Sequence, residues 1–372
     1  YGRGVANFQI GNYDKVVEDM QSNIQKFPNS GTLPASKNVL ALALATIGSG
    51  DLIKDGGDKA KGMAQLKQAE EILRQIIADK KDIALINDAW FQIGEILFTR
   101  AAFSPDAERQ PIYKQALDAY QSILPKEEII ELQTAKIKAF PALKAAALRA
   151  NNPALKKQLD KDNERELKKL EEVRSKPDQI ATAMLKMGEI FFNAQKYNES
   201  RVLITHVSPF LTTDDEKMRS MYYKTMGYVI QNAVDKAVQG YQEFTAAYKS
   251  NPLAESLPFA MGNMYLGLGK PEDAIRYFDE SIAQYPKGRV VGLSVVSKAQ
   301  AQVGLKNFEE ALKTFQSYLA NNPAPDVAVI AQYGLAGMYK DTAKWDDAIT
   351  NYKIVKEKFA GTPQAVESDY CF

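Results

Sequence analysis

The chain has 372 residues, of which 47 are basic, 46 acidic, 45% apolar and 25% charged. Charges that cancel exclude a dominant nucleic-acid electrostatic footprint, and the composition is that of an ordinary core-forming protein. A single cysteine, Cys371, and a single histidine, His206, exclude an intrachain disulfide, cysteine-rich zinc sites and multi-histidine metal centres.

In chain order, Gly4, Gly11, Tyr13, Val16, Met20 and Pro28 mark a helical pair entered partway through its first helix. Helical arrays need capped ends, so this start predicts missing flanking sequence or an end covered by a partner. No export leader is visible ahead of it. Residues 39–47 form the longest apolar run, which stops at Gly48, far short of the roughly 20 residues a membrane-spanning helix requires. Residues 48–62 are polar and glycine-rich and read as a loop insertion. Asp51, Asp55 and Asp58 lie in it, without the spacing or the closing glutamate of a helix-loop-helix calcium site. Ala69 and Leu73 mark a second pair, and Ala116 and Tyr120 a third, with residues 103–111 as another loop. Residues 126–150 and 153–176 read as charged helices with narrow apolar stripes, parted at Asn151-Asn152-Pro153 and kinked at Pro141. Together they predict a helical hairpin projecting from the repeats, with either a solvated face or a partner-docking arm.

From residue 177 onward one register holds. Ser200, Ala237, Ala274, Ala311 and Ala348 stand 37 residues apart, as do Ile204, Tyr241, Phe278, Phe315 and Tyr352. The earlier pairs fit the same period once the insertions are removed. Val16 to Ala69 exceeds the period by 16 residues, Ala69 to Ala116 by 10, and Ala116 to Ser200 by 47. Each unit holds two helical-period patterns and a short turn, such as Gly269-Lys270-Pro271, with proline placed where a helix start tolerates it. Period-two strand patterns are absent. The organisation read from this is residues 1–125 as repeats with loop insertions, 126–176 as the inserted hairpin, and 177–372 as regular repeats.

Met261, Gly262, Tyr265, Gly269, Ala274, Phe278, Ser281 and Pro286 occupy the columns that define the tetratricopeptide repeat, and the chain resembles that family over nearly all of its length outside the insertions. The resemblance implies an all-α fold: a right-handed superhelical array of about eight helix pairs with an inserted hairpin. The period of 37 departs from the family's 34, and the extra residues fall around the turns between repeats. The turn phrases at 241–254, 278–286 and 318–323 resemble those of bacterial envelope members, namely outer-membrane assembly lipoproteins and the Tol-Pal accessory protein. That likeness implies a periplasmic or outer-membrane-associated protein, peripheral or lipid-anchored, with the cytoplasm as the alternative.

By the same resemblance, first helices line a partner-binding groove. Leu185, Tyr222, Phe259, Val296 and Tyr333 form one inward column, and Glu189, Met226, Asn263, Gln300 and Gly337 the next. The basic clamp of chaperone-binding members is missing, and aromatics with Met226 suit an apolar peptide or helix. Recurring polar readers for RNA are missing too, which argues against nucleic acid.

The material for catalysis is poor. His206 and Cys371 are far apart in sequence. Gly267-Leu268-Gly269-Lys270 lacks the rest of a phosphate loop, and Asp214-Asp215-Glu216 reads as a helix start. No catalytic, cofactor or metal residues are therefore assigned. The expected function is a non-enzymatic scaffold or adaptor that binds other proteins. An accessory subunit of an enzyme complex and a small-ligand or glycan-binding groove are the alternatives.

Overall fold

The structure is a computed structural model that describes residues 1–80, 82–321 and 323–369; Asn322 and Cys371 lie outside the described residues. Among the described residues the elements are α-helices and three short 3-10 turns, with no strand. The chain divides into two compact units, Tyr1–Glu216 and Lys217–Phe372.

In the first unit α1 (Gly2–Gln9) packs on α2 (Tyr13–Lys26), α3 (Leu33–Ile53) on α4 (Lys59–Asp79), and α5 (Ile86–Ala102) on α6 (Asp106–Gln121). The insertion follows as α7 (Lys126–Lys138), α8 (Phe140–Arg149) and α9 (Pro153–Ser175). The pair α10 (Ile180–Asn193) and α11 (Tyr197–Val207) completes the unit, and α10 packs directly on α6. The next helix, α12 (Asp214–Ile230), opens at the end of this unit, and Thr213 and Glu216 close a reciprocal cap there. Glu216 accepts from Thr213 N at 3.0 Å and its own N–H donates to Thr213 Oγ at 3.2 Å.

The second unit holds the remainder of α12, then α13 (Val234–Tyr248), α14 (Ser256–Gly267), α15 (Pro271–Gln284), α16 (Val291–Gly304), α17 (Phe308–Ala320), α18 (Pro325–Asp341), α19 (Trp345–Lys358) and the short α20 (Pro363–Ser368).

Two local devices repeat with the sequence register. The first is a small residue on each first helix that lets a large side chain of the second helix approach. A Cβ at Gly94 would overlap Tyr120, one at Gly188 would overlap Ile204, and one at Gly262 would overlap Phe278. Gly4 bears the same relation to Met20, so the pattern reaches back to α1. These large side chains are fully buried and carry much of the cores. The second device ends the first helix. Gln195, Asn232, Gly269, Lys306 and Ala343 all lie at positive φ, between 55° and 69°, and are 37 residues apart. The next amide closes a six-residue turn, as Lys270 N does onto Tyr265 O at 2.9 Å and Lys344 N onto Tyr339 O at 2.9 Å.

The insertions differ from expectation in an instructive way. The surplus at 48–62 is not a loop: it lengthens α3 and α4 to 21 residues each and leaves only a short turn between them. Gly48 and Gly62 face each other, and a Cβ on either would come within 2.7 Å of the other's carbonyl oxygen, so the extensions pack backbone against backbone. Asp58 is the N-cap of α4, accepting from Lys61 N at 2.9 Å, which is the role its sequence position gives it in place of ion binding. The surplus at 103–111 likewise extends α6, with Pro111 inside the helix.

Residues 126–176 do form a hairpin, with α7 and α8 both packed on α9. Its first arm breaks at Ala139, just ahead of Pro141, and its tip is Asn151 at positive φ followed by Asn152, which caps α9 through Leu155 N at 2.9 Å. The hairpin does not project. It lies back along the repeats of its own unit, with Lys169 paired to Asp82 and Lys176 to Asp88. The charged face read as solvated is in part this seam.

Candidate interaction surface

Helices α12, α14, α16 and α18 are the first helices of the second unit's pairs, and they carry the predicted columns. The column at 222, 259, 296 and 333 turns toward the second helices. The Tyr222 ring lies 6.0 Å from Phe244, Phe259 6.1 Å from Phe278, and Tyr333 5.5 Å from Tyr352. These three are half-buried, so each keeps some accessible surface. Val296 is only 2% exposed, and Leu185 on α10 of the first unit 1%. Both are core side chains and do not line an open surface. Glu189, predicted beside Leu185, is fully buried as well.

The neighbouring column is the open one. Asn263 and Gln300 are exposed, Met226 and Gly337 half-exposed, each one repeat from the next. Met226 packs in part on the core, and a Cβ at Gly337 would lie 3.8 Å from the Tyr352 hydroxyl, so the column is most open at Asn263 and Gln300. The Gln300 amide lies beside Gly334 of α18, 3.9 Å from where a Cβ would be. An exposed amide offers both donors and an acceptor. With half-buried aromatic rings alongside, the surface can hydrogen-bond a peptide backbone and cover an apolar side chain. The Tyr222 hydroxyl is already engaged with Ser256 Oγ at 2.9 Å, and burial pushes its phenol up, against that hydrogen bond and the charge of Arg289.

The core also holds a tyrosine cluster in which Tyr241 and Tyr265, both column residues, are joined by Tyr277, which no column marked. Tyr265 stacks on Tyr277 with centroids 5.4 Å apart, and Tyr241 meets Tyr277 edge-on at 5.5 Å. Burial pushes the Tyr241 phenol far up, and Glu280 adds to the effect. The cluster is structural: it joins α13, α14 and α15 through Tyr241, Tyr265 and Tyr277.

His206 stands exposed in the last turn of α11, 6.3 Å from the Phe210 ring. Its position in the last turn of a helix implies no chemistry. Among the described residues no group of three or more histidine, cysteine, aspartate or glutamate side chains could hold a metal. Among the described residues no helix is long and apolar enough to cross a membrane.

The tetratricopeptide-repeat family profile matches residues 255–288 and 296–363. These segments are tetratricopeptide repeats. Both contain first-helix positions of the open column, Asn263 in one and Gln300 in the other. No curated protein sequence matches the chain. Among solved structures, MamA of strain AMB-1 is 17% identical, with 50% of this chain and 96% of that one covered and a TM-score of 0.36. PilF of Pseudomonas aeruginosa is 14% identical, with 64% and 99% covered and a TM-score of 0.39. Yeast Tom70 is 14% identical, with 99% and 86% covered and a TM-score of 0.39. At these scores the likenesses say nothing of detailed geometry or function.

Proposed function

We propose that this chain is a non-enzymatic protein–protein interaction scaffold or adaptor in a multi-protein assembly of the bacterial envelope. Tetratricopeptide repeats as a class mediate contacts between proteins. The observation that carries the reading is the open column of the second unit. Asn263 and Gln300 present unshielded amides one repeat apart, beside the half-buried rings of Tyr222, Phe259 and Tyr333. A partner segment would lie along the first helices, hydrogen-bonded by the amides and with apolar side chains on the rings and Met226. Val296 supports this surface from within. Support for the envelope comes from the turn phrases at 241–254, 278–286 and 318–323, which favour a periplasmic or outer-membrane-associated protein over a cytoplasmic one.

The test is affinity purification from native cells of the chain and of the double variant Asn263→Ala, Gln300→Ala. Both positions are exposed, so melting should be unchanged. Loss of co-purifying proteins at unchanged melting temperature supports the reading; an unchanged set of partners contradicts it. Fractionation of the same cells tests the location.

A further inference from the structure

Among the described residues, the main apolar cluster of the first unit's repeats includes no side chain of 126–176. The hairpin meets them through α7 and α9 packed on the turn at 83–85, and through two ion pairs. Lys169 Nζ lies 2.6 Å from Asp82 Oδ2, in the turn before α5, and Lys176 Nζ lies 3.0 Å from Asp88 Oδ2 on the first turn of α5. The Arg165 guanidinium rests on Gly31, where any Cβ would overlap it. Between the two lysines Val173 shares a cavity of about 220 Å³ with Val39, Asp82 and Leu85, and a second cavity of about 340 Å³ separates Arg165 from Pro34 and its neighbours. Asn38 Oδ1 and Asp82 Oδ1 are buried at this seam without a hydrogen bond. A contact with cavities and orphaned polar atoms is poorly optimised.

The hairpin is also clipped at its base. Lys126 Nζ donates to the carbonyls of Arg174 at 2.7 Å and Lys176 at 2.5 Å, so its two ends meet, and α10 packs on α6 beside them. The repeats are therefore continuous without it. A tether of this kind keeps a weak ligand bound through high effective concentration and not through affinity.

We propose that the edge of the first unit formed by residues 31–39 and 82–88 is a docking site for a lysine-bearing amphipathic helix, and that α9 fills it in cis as a displaceable strap. Lys169 and Val173 fall at i and i+4 on one face of α9 and Lys176 is its C-cap, and they define the partner: a helix with one cation on that face and a second at its C-terminal end, over Asp82 and Asp88, with a small apolar side chain between them. The acidic pair selects charge, and Gly31 admits an arginine one turn earlier. This site lies in the first unit and stands whether or not the open column of the second unit binds anything.

The probe is a synthetic peptide of residues 153–176. It is titrated into the full chain and into a variant in which a short Gly/Ser linker replaces 126–176. The peptide should bind the variant saturably and salt-dependently, and the intact chain at least about tenfold more weakly, because the strap already occupies the site. A peptide carrying Lys169→Glu and Lys176→Glu should lose at least about tenfold on the variant. Absence of binding to a variant that retains its helicity, or equal binding to both chains, overturns the proposal. Should the variant not fold, hydrogen exchange on the full chain decides. Asp82→Lys with Asp88→Lys should speed exchange across 153–176 while 40–53 and 89–101 keep their protection, and Lys169→Asp with Lys176→Asp in the same chain should restore it. Unchanged protection of 153–176, or a joint loss across the repeat helices, overturns the proposal.

Discussion

Between α14 and α15 the contact is Gly262 against Phe278, an apolar fit in which one side has been emptied to admit the other. Between α9 and the repeats of its own unit the contact is Lys169 against Asp82, with cavities on either side. The first seam is non-directional, buried and intolerant of volume change. The second is directional, sensitive to charge and only partly filled. A protein that carries both can keep its repeats rigid while one element remains exchangeable.

The two seams should fail in different ways. The largest effect is expected at the apolar one. Phe278→Ala removes a fully buried ring and should cost about 3–5 kcal/mol, read as a lowered denaturant midpoint for the second unit. Inside the hairpin, behind the polar seam, Glu166 is 3% exposed and is shared by Lys136 at 2.9 Å, Gln133 at 2.9 Å and Lys169 at 3.4 Å. Burial pushes its carboxyl up, but the hydrogen bonds from Lys136 and Gln133 and the charge of Lys169 outweigh it and hold the group below the ordinary range. A depressed folded value gives stability that is present above the usual carboxylate range and is lost as pH falls through that folded value. Glu166→Ala should therefore loosen the hairpin by about 2–4 kcal/mol at neutral pH, with the repeats intact. Hydrogen exchange of 126–176 should show it, and the difference from the unmodified chain should shrink at strongly acidic pH.

The tyrosine cluster gives the opposite pH response. Tyr241 is held neutral by burial, so its folded value lies above the unfolded one; its stability is full below about pH 10 and falls as pH rises beyond that. Alkaline unfolding of the second unit should begin above pH 10, and Tyr241→Phe should delay it by about 1 kcal/mol at a pH one unit above that onset. The smallest effect is at the turns. Ala343 holds φ at 57° where Gly269 serves in another repeat, so Ala343→Gly should raise stability by about 0.5–1 kcal/mol, read as a higher melting temperature. An unchanged or lower melting temperature would show that the turn bears no strain.

The contrast also explains what the sequence could reveal. Repeat seams are written as small and large residues at one spacing, so the 37-residue columns, the surpluses of 16, 10 and 47, and the all-helical pairing were legible from residues alone. Helix extension at 48–62 was missed because Gly48 and Gly62 read locally as loop formers; only their facing each other makes them packing residues. The return of α9 had no local signature. Lys169 and Asp82 are 87 residues apart, and a charged helix face looks the same whether water or a neighbouring turn covers it. For the candidate surface, the period placed Asn263 and Gln300 correctly on first helices, but it could not fix their rotation. Val296 and Gln300 are four residues apart, one turn along the same helix, which is why the two columns read alike although the first is buried at Val296 and the second exposed at Gln300.

The central claim is that the open column of the second unit meets another protein, and site-specific photocrosslinking in native cells tests it most directly. A photoreactive residue would be placed at 263, at 300 and, as a control on the outward-facing second helix, at the exposed position 349. The account predicts that 263 and 300 capture the same partner and that 349 does not. Capture of nothing at 263 and 300, or the same products from all three positions, would contradict it.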